Sequence, residues 1–554
     1  MKISSVKIKG FRSIKNDLVI NFSQITALIG ANNSGKSNIL SALYSVLGKD
    51  WITVNTFDEQ DVYNSDHDTD IEIEVTFDEP FEYYAFVGVD PILIPKLRFE
   101  YTRYKIGDNK DKRRLEKKCL SLDDKEFTIL AKKPKKGEAH QYQRLTTIPQ
   151  VIQESIPVIY INSERVLKNQ LPNSRNSLLG ALLKDINEDF LSPNNKIKVK
   201  DRQGKEVEIS RKDRFNQCIS AAITALRTEE FINLEASIQD NALNQLGFDP
   251  VADKNKFNIF FNPLTSLEFY KSLEIFVNEY GFVINATELG GGFQNAIVIA
   301  ILKAFEERKK QGAIFLIEEP EMYLHPQMQR SLYKTIREIG QTNQVIYITH
   351  SPHFVTIPYF NEIVIVKKDS EGTSTIQSEL KIEGRLREKF IKELDPERNE
   401  FFFSKKVLIV EGDTEKLALP EYCKRQSLDL DKLGISIVEV GGKRNLKDFV
   451  DIAISFKMPV AFIYDIDSSD FQNKEEERNY NKMLDSYKPK GVTVWALNKN
   501  YESELRNFFS EPTYQQYCQK YSGYTKAIKA RLIAIDNETN IPDFISPIIQ
   551  WLKE

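Results

Sequence analysis

The chain has 554 residues, 41% of them hydrophobic and 28% charged, and its net charge is −4. This length predicts several domains, and no apolar run approaches the roughly 20 residues that span a bilayer. With this net charge, the field of the whole molecule gives no argument for a polyanion partner, so any nucleic-acid surface must be local. The cysteines have neither zinc-ligand spacing nor disulfide density, and the N-terminus lacks a secretion signal. We therefore expect a cytoplasmic protein with reduced thiols and no membrane partner.

The first predicted site lies between a strand-like and a helix-like run near the N-terminus. The segment "ITALIGANNSGKSNIL" contains the full pattern G-x-x-x-x-G-K-[ST] at residues 30–37. In this pattern, backbone N–H groups surround the β-phosphate, the lysine reaches the β- and γ-phosphates, and the serine binds Mg²⁺. We therefore predict an ATP–Mg²⁺ site formed by Asn32, Asn33, Ser34, Gly35, Lys36 and Ser37.

Basic residues are densest from Lys96 to Lys136, which includes "KDKRRLEKK" and "KKPKKG". Two interpretations remain open for this stretch. It could supply phosphate contacts to nucleic acid, or it could be a solvated β-hairpin tip and loop. The acidic residues interspersed in the same stretch favour the second interpretation.

Residues 163–285 carry short helical patterns without sustained heptads, which predicts a compact helical insertion and a candidate dimerisation element. Gly290, Gly291 and Gly292 then open an amphipathic helix. A glycine-rich turn at a helix N-terminus can bind an anion, but three glycines are also typical of a plain turn.

Two apolar strand-like runs follow, and each ends in a polar residue. "GAIFLIEEPEMYLHP" ends in Glu318 and Glu319, and "NQVIYITHSPHF" leads to His350. Glu318 is expected to contact Mg²⁺, mostly through water, and Glu319 to orient the water that attacks the γ-phosphate. A lone histidine here would be typical of a strand end bonded to backbone. Its place in this series favours a γ-phosphate sensor.

The order of these motifs resembles the ATPase head of the ABC and SMC-like class. The resemblance implies an α/β head made of residues 1–162 and 286–380, interrupted by the insertion. It also implies that Gly290–Gly292 of one subunit close on the nucleotide of another, in a homodimer or higher homo-oligomer. Gln60 would then contact metal and water.

After a charged connector at residues 381–404, a second α/β domain is predicted at residues 405–554. "KVLIVEGDTE" is a strand followed by Glu411 and Glu415, and "PVAFIYDIDSSD" is a strand followed by Asp465 and Asp467. The carboxyl ends of parallel strands converge at one crevice, where open α/β folds place their sites. Carboxylate oxygens suit Mg²⁺ or Mn²⁺, so these four acids are predicted metal ligands.

Two later segments leave alternatives open. Glu502 and Glu504 could complete the metal shell, or could form a helix-face ion pair with Arg506. Lys526 and Lys529 both offer a cation near a scissile phosphate, and the spacing favours Lys526.

The pair "EGDTE" and "DID" resembles the Toprim module, and the whole chain resembles the OLD (overcoming lysogeny defect) family. The resemblance implies an ATP-coupled DNA endonuclease in anti-phage defence, with Mg²⁺ at the ATPase site and Mg²⁺ or Mn²⁺ at the nuclease site. It assigns catalytic roles to Glu319, His350, Glu411, Asp465, Asp467 and Lys526.

Relatives in Gabija systems and beside retrons suggest a companion defence protein, or a retron RNA–DNA with its reverse transcriptase. The main alternative is an ABC/SMC-like DNA-binding ATPase whose non-catalytic Toprim module is a scaffold or sensor. A Toprim topoisomerase or primase ranks last, because neither a tyrosine-bearing domain nor a zinc motif is visible.

Overall fold

The computed structural model describes most of the chain in two compact units, Met1–Ser163 with Gln311–Glu554, and Glu164–Lys310. In the described part of the chain, no helix is both long and apolar enough to cross a bilayer. The described residues are 2–48, 52–66, 68–106, 110–133, 140–156, 158–162, 167–172, 177–200, 204–256, 264–308, 312–380, 396–466, 474–536 and 540–554. Asp467 and residues 381–395 of the predicted connector therefore lie outside them.

The N-terminal part of the first unit contains two large sheets, with elements numbered along the whole chain. The antiparallel sheet has the order β2-β1-β4-β5-β6 and consists of β1 (Ile3–Lys9), β2 (Leu18–Asn21), β4 (Ile71–Tyr83), β5 (Ile92–Ile106) and β6 (Lys110–Leu120). The second sheet has the order β17-β16-β3-β15-β14-β9 and consists of β3 (Ile25–Ile29), β9 (Val158–Ile161), β14 (Ile314–Glu318), β15 (Gln344–Ile348), β16 (Ile363–Asp369) and β17 (Gly372–Gln377). The described residues of this part also form a small hairpin and three α-helices: β7 (Thr128–Leu130), β8 (Tyr142–Arg144), α1 (Lys36–Leu47), α2 (Gln150–Ser155) and α9 (Pro326–Ile339).

The strands that carry the predicted ATP site are the most apolar of the second sheet. Every residue of β3, β14 and β15 is buried, as expected for central parallel strands covered on both faces. β15 pairs in parallel with both β3 and β14. Their carboxyl ends therefore lie side by side at one edge of the sheet.

Helix α1 packs between the two large sheets. It contacts β1 and β4 of one sheet and β9 and β14 of the other. Its side chains Ile39, Leu40 and Leu43 are fully buried in the core that these strands share. The start of α1, which follows the phosphate-binding loop, is thus held by the main hydrophobic core of the unit.

The basic stretch forms the long hairpin of β5 and β6, whose register joins Lys96 to Leu120. Its described charges are largely paired on the sheet face. Lys96 lies 3.0 Å from Glu74 and 2.9 Å from Asp124. Lys118 likewise contacts Glu100 at 2.5 Å. This pairing favours the solvated-hairpin interpretation over phosphate binding.

The second unit contains six helices and two hairpins among its described residues. They are α3 (Leu167–Gln170), α4 (Leu178–Leu191), β10 (Lys196–Lys200), β11 (Glu206–Ser210), α5 (Arg211–Leu226), α6 (Glu229–Gln245), α7 (Ser266–Lys271), β12 (Phe276–Glu279), β13 (Phe282–Asn285) and α8 (Gly291–Arg308). Ser177, Ser210, Thr228 and Thr265 accept the first free N–H groups of α4 to α7, which explains where these helices begin. The two hairpins were not predicted.

The C-terminal part of the first unit is built on a parallel sheet with the order β19-β18-β20-β21. Its strands are β18 (Lys406–Val410), β19 (Ile435–Glu439), β20 (Val460–Asp465) and β21 (Thr493–Leu497). Its helices are α10 (Pro396–Asn399), α11 (Asp413–Arg425), α12 (Leu430–Leu433), α13 (Leu446–Ser455), α14 (Lys474–Asp485), α15 (Tyr501–Phe508), α16 (Glu511–Lys520), α17 (Lys526–Asp536) and α18 (Ser546–Lys553). The predicted strands "KVLIV" and "PVAFIYD" are confirmed.

Candidate ATPase and nuclease sites

The phosphate-binding loop follows β3 and has the backbone that its glycines permit. Gly30 and Gly35 have φ values of 147° and 102°, and a Cβ on Gly35 would lie 2.3 Å from Thr373 Oγ1. Lys36 is almost fully buried and donates to the carbonyls of Gly30 and Ala31 at 3.0 and 2.8 Å. Burial lowers its pKa to about 8, and the charges of nearby acids only partly offset this effect.

The loop residues fit a bound nucleotide. Ser34 Oγ is buried and has no hydrogen-bond partner among the described residues, which leaves a donor directed into the loop. Ser37 in the first turn of α1 is exposed, so its hydroxyl is accessible to a Mg²⁺ ion at the loop. Asn32 and Asn33 are exposed on the loop, and Asn33 has a left-handed φ of 63°.

The structure brings Glu319 and His350 to the edge of the sheet where Lys36 lies. His350 Nε2 lies 3.9 Å from Glu319 Oε1. Burial and the Lys36 charge lower the pKa of His350, although Glu319 opposes them, so the imidazole is neutral at pH 7. Glu319 has a left-handed φ of 42°, a strained conformation of the kind found at functional sites.

Glu318 is the buried last residue of β14. Its carboxylate accepts a hydrogen bond from the Tyr160 hydroxyl. Burial raises the pKa of Tyr160, and the charge of Glu318 raises it further. Tyr160 is itself stacked on Tyr44 of α1, with ring centres 4.7 Å apart. Glu318 is thus fixed in direction next to the loop.

Gln60 lies in an exposed turn, where its N–H donates to Asp58 at 2.8 Å. It lines a cavity together with Arg12, Ser13 and Lys368. Gly290–Gly292 belong to the second unit: Gly290 precedes α8, and its carbonyl accepts from Phe293 at 3.0 Å. Nucleotide contacts by these residues remain predictions.

The acids of the C-terminal sheet meet as predicted. Glu411 follows β18, and its Oε1 accepts the backbone N–H of Asp465, the last residue of β20, at 2.7 Å. β18 and β20 are neighbouring parallel strands, so the two strand ends share one edge. The contact places two predicted metal ligands together at the crevice of the sheet.

Glu415 lies in the first turn of α11 and is almost completely buried. Burial raises its pKa to about 7, and the charge of Glu502 adds to the effect, while Lys526 opposes it. Glu502 Oε2 contacts Lys526 Nζ at 2.8 Å. We call Glu411, Glu415, Asp465 and Glu502 the acidic cluster; it contains one lysine, Lys526, at the start of α17.

Lys526 also interacts electrostatically with Asp465 and Glu415. Burial lowers its pKa, but the hydrogen bond and charge of Glu502 outweigh this, so the pKa is raised overall and the ammonium stays charged. Lys526 thus interacts with Asp465 at the end of β20 as well as with Glu415 and Glu502.

The chemistry of the donor set fits a divalent cation. Glu411, Glu415 and Asp465 offer only carboxylate oxygens, the ligands that Mg²⁺ and Mn²⁺ prefer. The raised pKa of Glu415 comes mainly from burial, and the charge of Glu502 adds to it. Within the described ranges, no three acidic, histidine or cysteine side chains already stand as a complete metal site.

Two models of known families match the chain. The AAA ATPase domain matches residues 1–355, and the TOPRIM domain of proteins like the overcoming lysogenization defect protein matches residues 402–467. The chain is 28% identical over 499 residues to the OLD nuclease of Thermus scotoductus, covering 87% of this chain and 85% of the relative. The chain belongs to the OLD nuclease family.

Two further relatives match a similar share of the chain. The Old nuclease of Escherichia phage P2 is 25% identical and covers 84% of this chain and 77% of its own length. The endonuclease GajA of Bacillus cereus is 22% identical, and the match covers 87% of this chain and 76% of the relative. This OLD-family chain therefore combines an ATPase with a Toprim nuclease module, and is a hydrolase of that class.

The structure separates the alternatives that the late residues of this OLD-family protein left open. Glu502 faces Lys526, whereas Glu504 Oε1 accepts the backbone N–H of Asn498 at 2.9 Å. Arg506 pairs with Glu511 at 3.3 Å. Among the two acids, Glu502 is thus the member of the acidic cluster.

Three residues that support the sites were missed from the sequence. Glu321 accepts the backbone N–H of His350 at 2.6 Å, and Thr373 Oγ1 donates to the Ser34 carbonyl at 3.0 Å. Lys443 donates to the Asp465 carbonyl at 2.5 Å. Glu321 stands within the quoted "EEPEMYLHP", but no sequence pattern indicates contacts that depend on how loops return to a strand end.

Proposed function

We propose that the protein is a divalent-metal-dependent DNA endonuclease whose ATPase head binds and hydrolyses ATP. The hydrogen bond between Glu411 and the backbone of Asp465 is the observation that carries the proposal. It joins the acids of two neighbouring strands at the edge where α/β folds place their sites. Membership of a nuclease family supports the reaction and supports DNA as the substrate.

Glu411, Glu415 and Asp465, with Asp467 as a further predicted ligand, would hold one or two Mg²⁺ or Mn²⁺ ions. Such ions lower the pKa of a water and neutralise charge on the departing oxygen of the phosphodiester. The charged Lys526 lies at the same crevice and would bind a phosphate oxygen, while Glu502 keeps its ammonium directed. Buried Glu415 must lose its proton before it can coordinate an ion.

At the head, Lys36 would exchange its loop carbonyls for the β- and γ-phosphate oxygens of ATP. Ser37 and Glu318 would hold Mg²⁺, and Glu319 would orient the attacking water. The neutral imidazole of His350 can donate one hydrogen bond toward the γ-phosphate, and the Glu321 carboxylate holds its backbone.

A homodimer fits the exposed apolar side chains of the second unit. Helix α5 buries none of its side chains, and α6 buries only Leu243. Exposed residues include Leu226, Ile232, Leu234 and Ile238, and a second copy of the chain would cover them. Sedimentation tests the proposed dimer: a protein that stays monomeric at micromolar concentration with nucleotide would contradict it.

Anti-phage defence, with a companion defence protein or retron RNA–DNA, is the proposed setting.

Plasmid nicking tests the proposed reaction. Supercoiled DNA is incubated with Mn²⁺ or Mg²⁺, each with ATP, a non-hydrolysable analogue or no nucleotide. The wild-type protein should nick or linearise the plasmid, and Glu411→Ala should reduce the rate by at least about 100-fold because a metal ligand is lost. Binding of the ATP analogue by this variant should be unchanged.

Glu504→Ala is the matched control, since it removes a nearby carboxylate that caps the backbone instead of facing the cluster. It should cut at a rate close to wild type. Wild-type protein that binds DNA but leaves it uncut with either metal would favour the scaffold or sensor ATPase.

A further inference from the structure

A buried lysine that no sequence motif singled out lies beneath the acidic crevice. Lys443 follows β19 in the loop "VGGKRN" and is 9% exposed. Its Nζ donates to the Asp465 carbonyl at 2.5 Å and contacts Glu477 Oε1 at 2.6 Å. The same Nζ lies 5.3 Å from the centre of the Tyr464 ring. The ammonium is therefore directed at protein groups and not at a substrate phosphate.

Lys443 contacts Asp465 directly, and its loop also contacts Glu411. It holds the carbonyl of Asp465, while the N–H of the same residue donates to Glu411. The preceding Gly442 N–H donates to the Glu411 carbonyl at 2.8 Å. One loop thus fixes the backbones from which both carboxylates extend. Glu477, which also contacts Arg444 at 2.9 Å, neutralises the buried ammonium.

We infer that Lys443 is a positioning residue of the nuclease site: it sets the direction of Asp465 and Glu411 so that they bind a divalent cation together. This inference rests on the proposed function. Groups that orient metal ligands without touching the metal commonly contribute 10–100-fold to affinity.

Direct Mn²⁺ binding to nucleotide-free protein tests the role, read by the electron paramagnetic resonance signal of free Mn²⁺. Lys443→Met should weaken binding by about 10–100-fold. In nicking assays, the half-saturating Mn²⁺ concentration should rise by a similar factor while the rate at saturating Mn²⁺ largely recovers. Lys96→Met is the matched control, because Lys96 is also a buried lysine with two polar contacts, here to Glu74 and Asp124, but lies in the antiparallel sheet.

Unchanged Mn²⁺ affinity in Lys443→Met, or equal weakening in Lys96→Met, would overturn the inference. If Lys443→Met does not fold, the double variant Lys443→Met/Glu477→Gln decides by the same criterion, since it leaves no unpaired buried carboxylate. Wild-type protein that binds Mn²⁺ but cuts no DNA would contradict the proposed function and leave the positioning role intact.

A separate set of contacts links the two sites within the first unit. Asn399 of α10 is buried, and its Nδ2 donates at 3.1 Å to the carbonyl of Pro352, two residues after His350. The adjacent Arg398 contacts Glu439 Oε2 at 2.9 Å, and the other oxygen of Glu439 accepts the N–H of Gly441. Gly441 is followed by Gly442, whose N–H donates to the Glu411 carbonyl.

We propose that α10 couples the state of the ATP site to the nuclease site. A shift of the His350 segment on nucleotide binding moves Asn399 and Arg398, and through Glu439 it moves the Gly441–Lys443 loop. Because coupling is reciprocal, nucleotide and nuclease metal each change the other's affinity by the same factor. This proposal also rests on the proposed function, but its test includes a readout without cleavage.

The first readout is the ratio of nicking rates with and without a non-hydrolysable ATP analogue. Wild type should give a ratio different from one, and Arg398→Met should bring it close to one. Lys118→Met, which breaks a partly buried ion pair with Glu100 in the antiparallel sheet, should keep the wild-type ratio.

The second readout is hydrogen exchange of the peptide spanning residues 436–445. The analogue should change its protection in wild type and in Lys118→Met, but not in Arg398→Met. A wild-type ratio of one with unchanged exchange, or an Arg398→Met variant that keeps both effects, would overturn the coupling. A wild-type protein that shows the change in hydrogen exchange but cuts no DNA would contradict the proposed nuclease activity and leave the coupling intact.

Discussion

At the residue scale, the charge states of two buried groups govern ligand binding. Lys36 in the phosphate-binding loop has a pKa lowered to about 8 by burial, and Glu415 at the metal crevice has a pKa raised to about 7. Each group is charged more readily when its ligand arrives, because phosphate favours the ammonium and a cation favours the carboxylate. Both sites should therefore show proton linkage, with opposite signs.

Nucleotide binding at pH 8.5 should take up about three quarters of a proton, since Lys36 is mostly neutral there without phosphate. At pH 7 the lysine is already charged, and the uptake should fall to about one tenth. Calorimetric titration of an ATP analogue in two buffers of different ionisation enthalpy measures the proton uptake at each pH. Equal uptake at both pH values would show that Lys36 is not the linked group.

The contribution of Glu415 to the stability of the metal-free protein should fall as pH rises from about 4.5 to 7. In this window the unfolded Glu415 has lost its proton while the folded residue keeps it, so each step in pH favours unfolding. Glu415→Gln should therefore stabilise the protein at pH 8 by about 1–3 kcal/mol and by much less at pH 4.5. Denaturant unfolding in EDTA measures the difference.

The exposed carboxylate of Glu476 supplies the control for this comparison. Glu476→Gln should change stability by less than about 0.5 kcal/mol at either pH. A Glu415→Gln protein no more stable than wild type at pH 8 would contradict the raised pKa.

At the element scale, apolar strand runs and their polar ends were the most predictable features. Runs such as "IFLIE" and "KVLIV" predicted buried parallel strands, and parallel pairing then required their ends to meet. The hairpins of the second unit and the role of Lys443 were not predictable in this way. They depend on which loops return to which strand ends, and this is decided by tertiary packing.

Helix α17 should position Lys526 through its packing on α11. Arg531 of α17 contacts Glu421 of α11 at 2.9 Å. Arg531→Ala should lower the saturated nicking rate about 3–10-fold with little change in half-saturating Mn²⁺, because the lysine moves while the metal ligands stay. Global stability should fall by no more than about 1 kcal/mol, since the pair is partly exposed.

Charge reversal in Glu421→Arg/Arg531→Glu provides the check on this prediction. The double variant should recover most of the lost rate, because the pair is rebuilt with opposite polarity. An Arg531→Ala protein with the wild-type rate would show that Lys526 is held by other contacts.

At the scale of the whole molecule, a single sheet edge serves each reaction. β3, β14 and β15 bring Lys36, Glu319 and His350 to one edge, and β18 and β20 bring Glu411 and Asp465 to another. Motif order predicted both groupings from the sequence. The α10 contacts between them were not predicted, because the connector showed only charge and helical pattern.

The acids that end β18 and β20 should bind divalent cations together. Anomalous diffraction from crystals grown with Mn²⁺ and without nucleotide tests it most directly. We expect a Mn²⁺ peak bounded by Glu411, Glu415 and Asp465, with the contact between Lys526 and Glu502 retained. A crevice without a Mn²⁺ peak at millimolar Mn²⁺ would contradict this expectation.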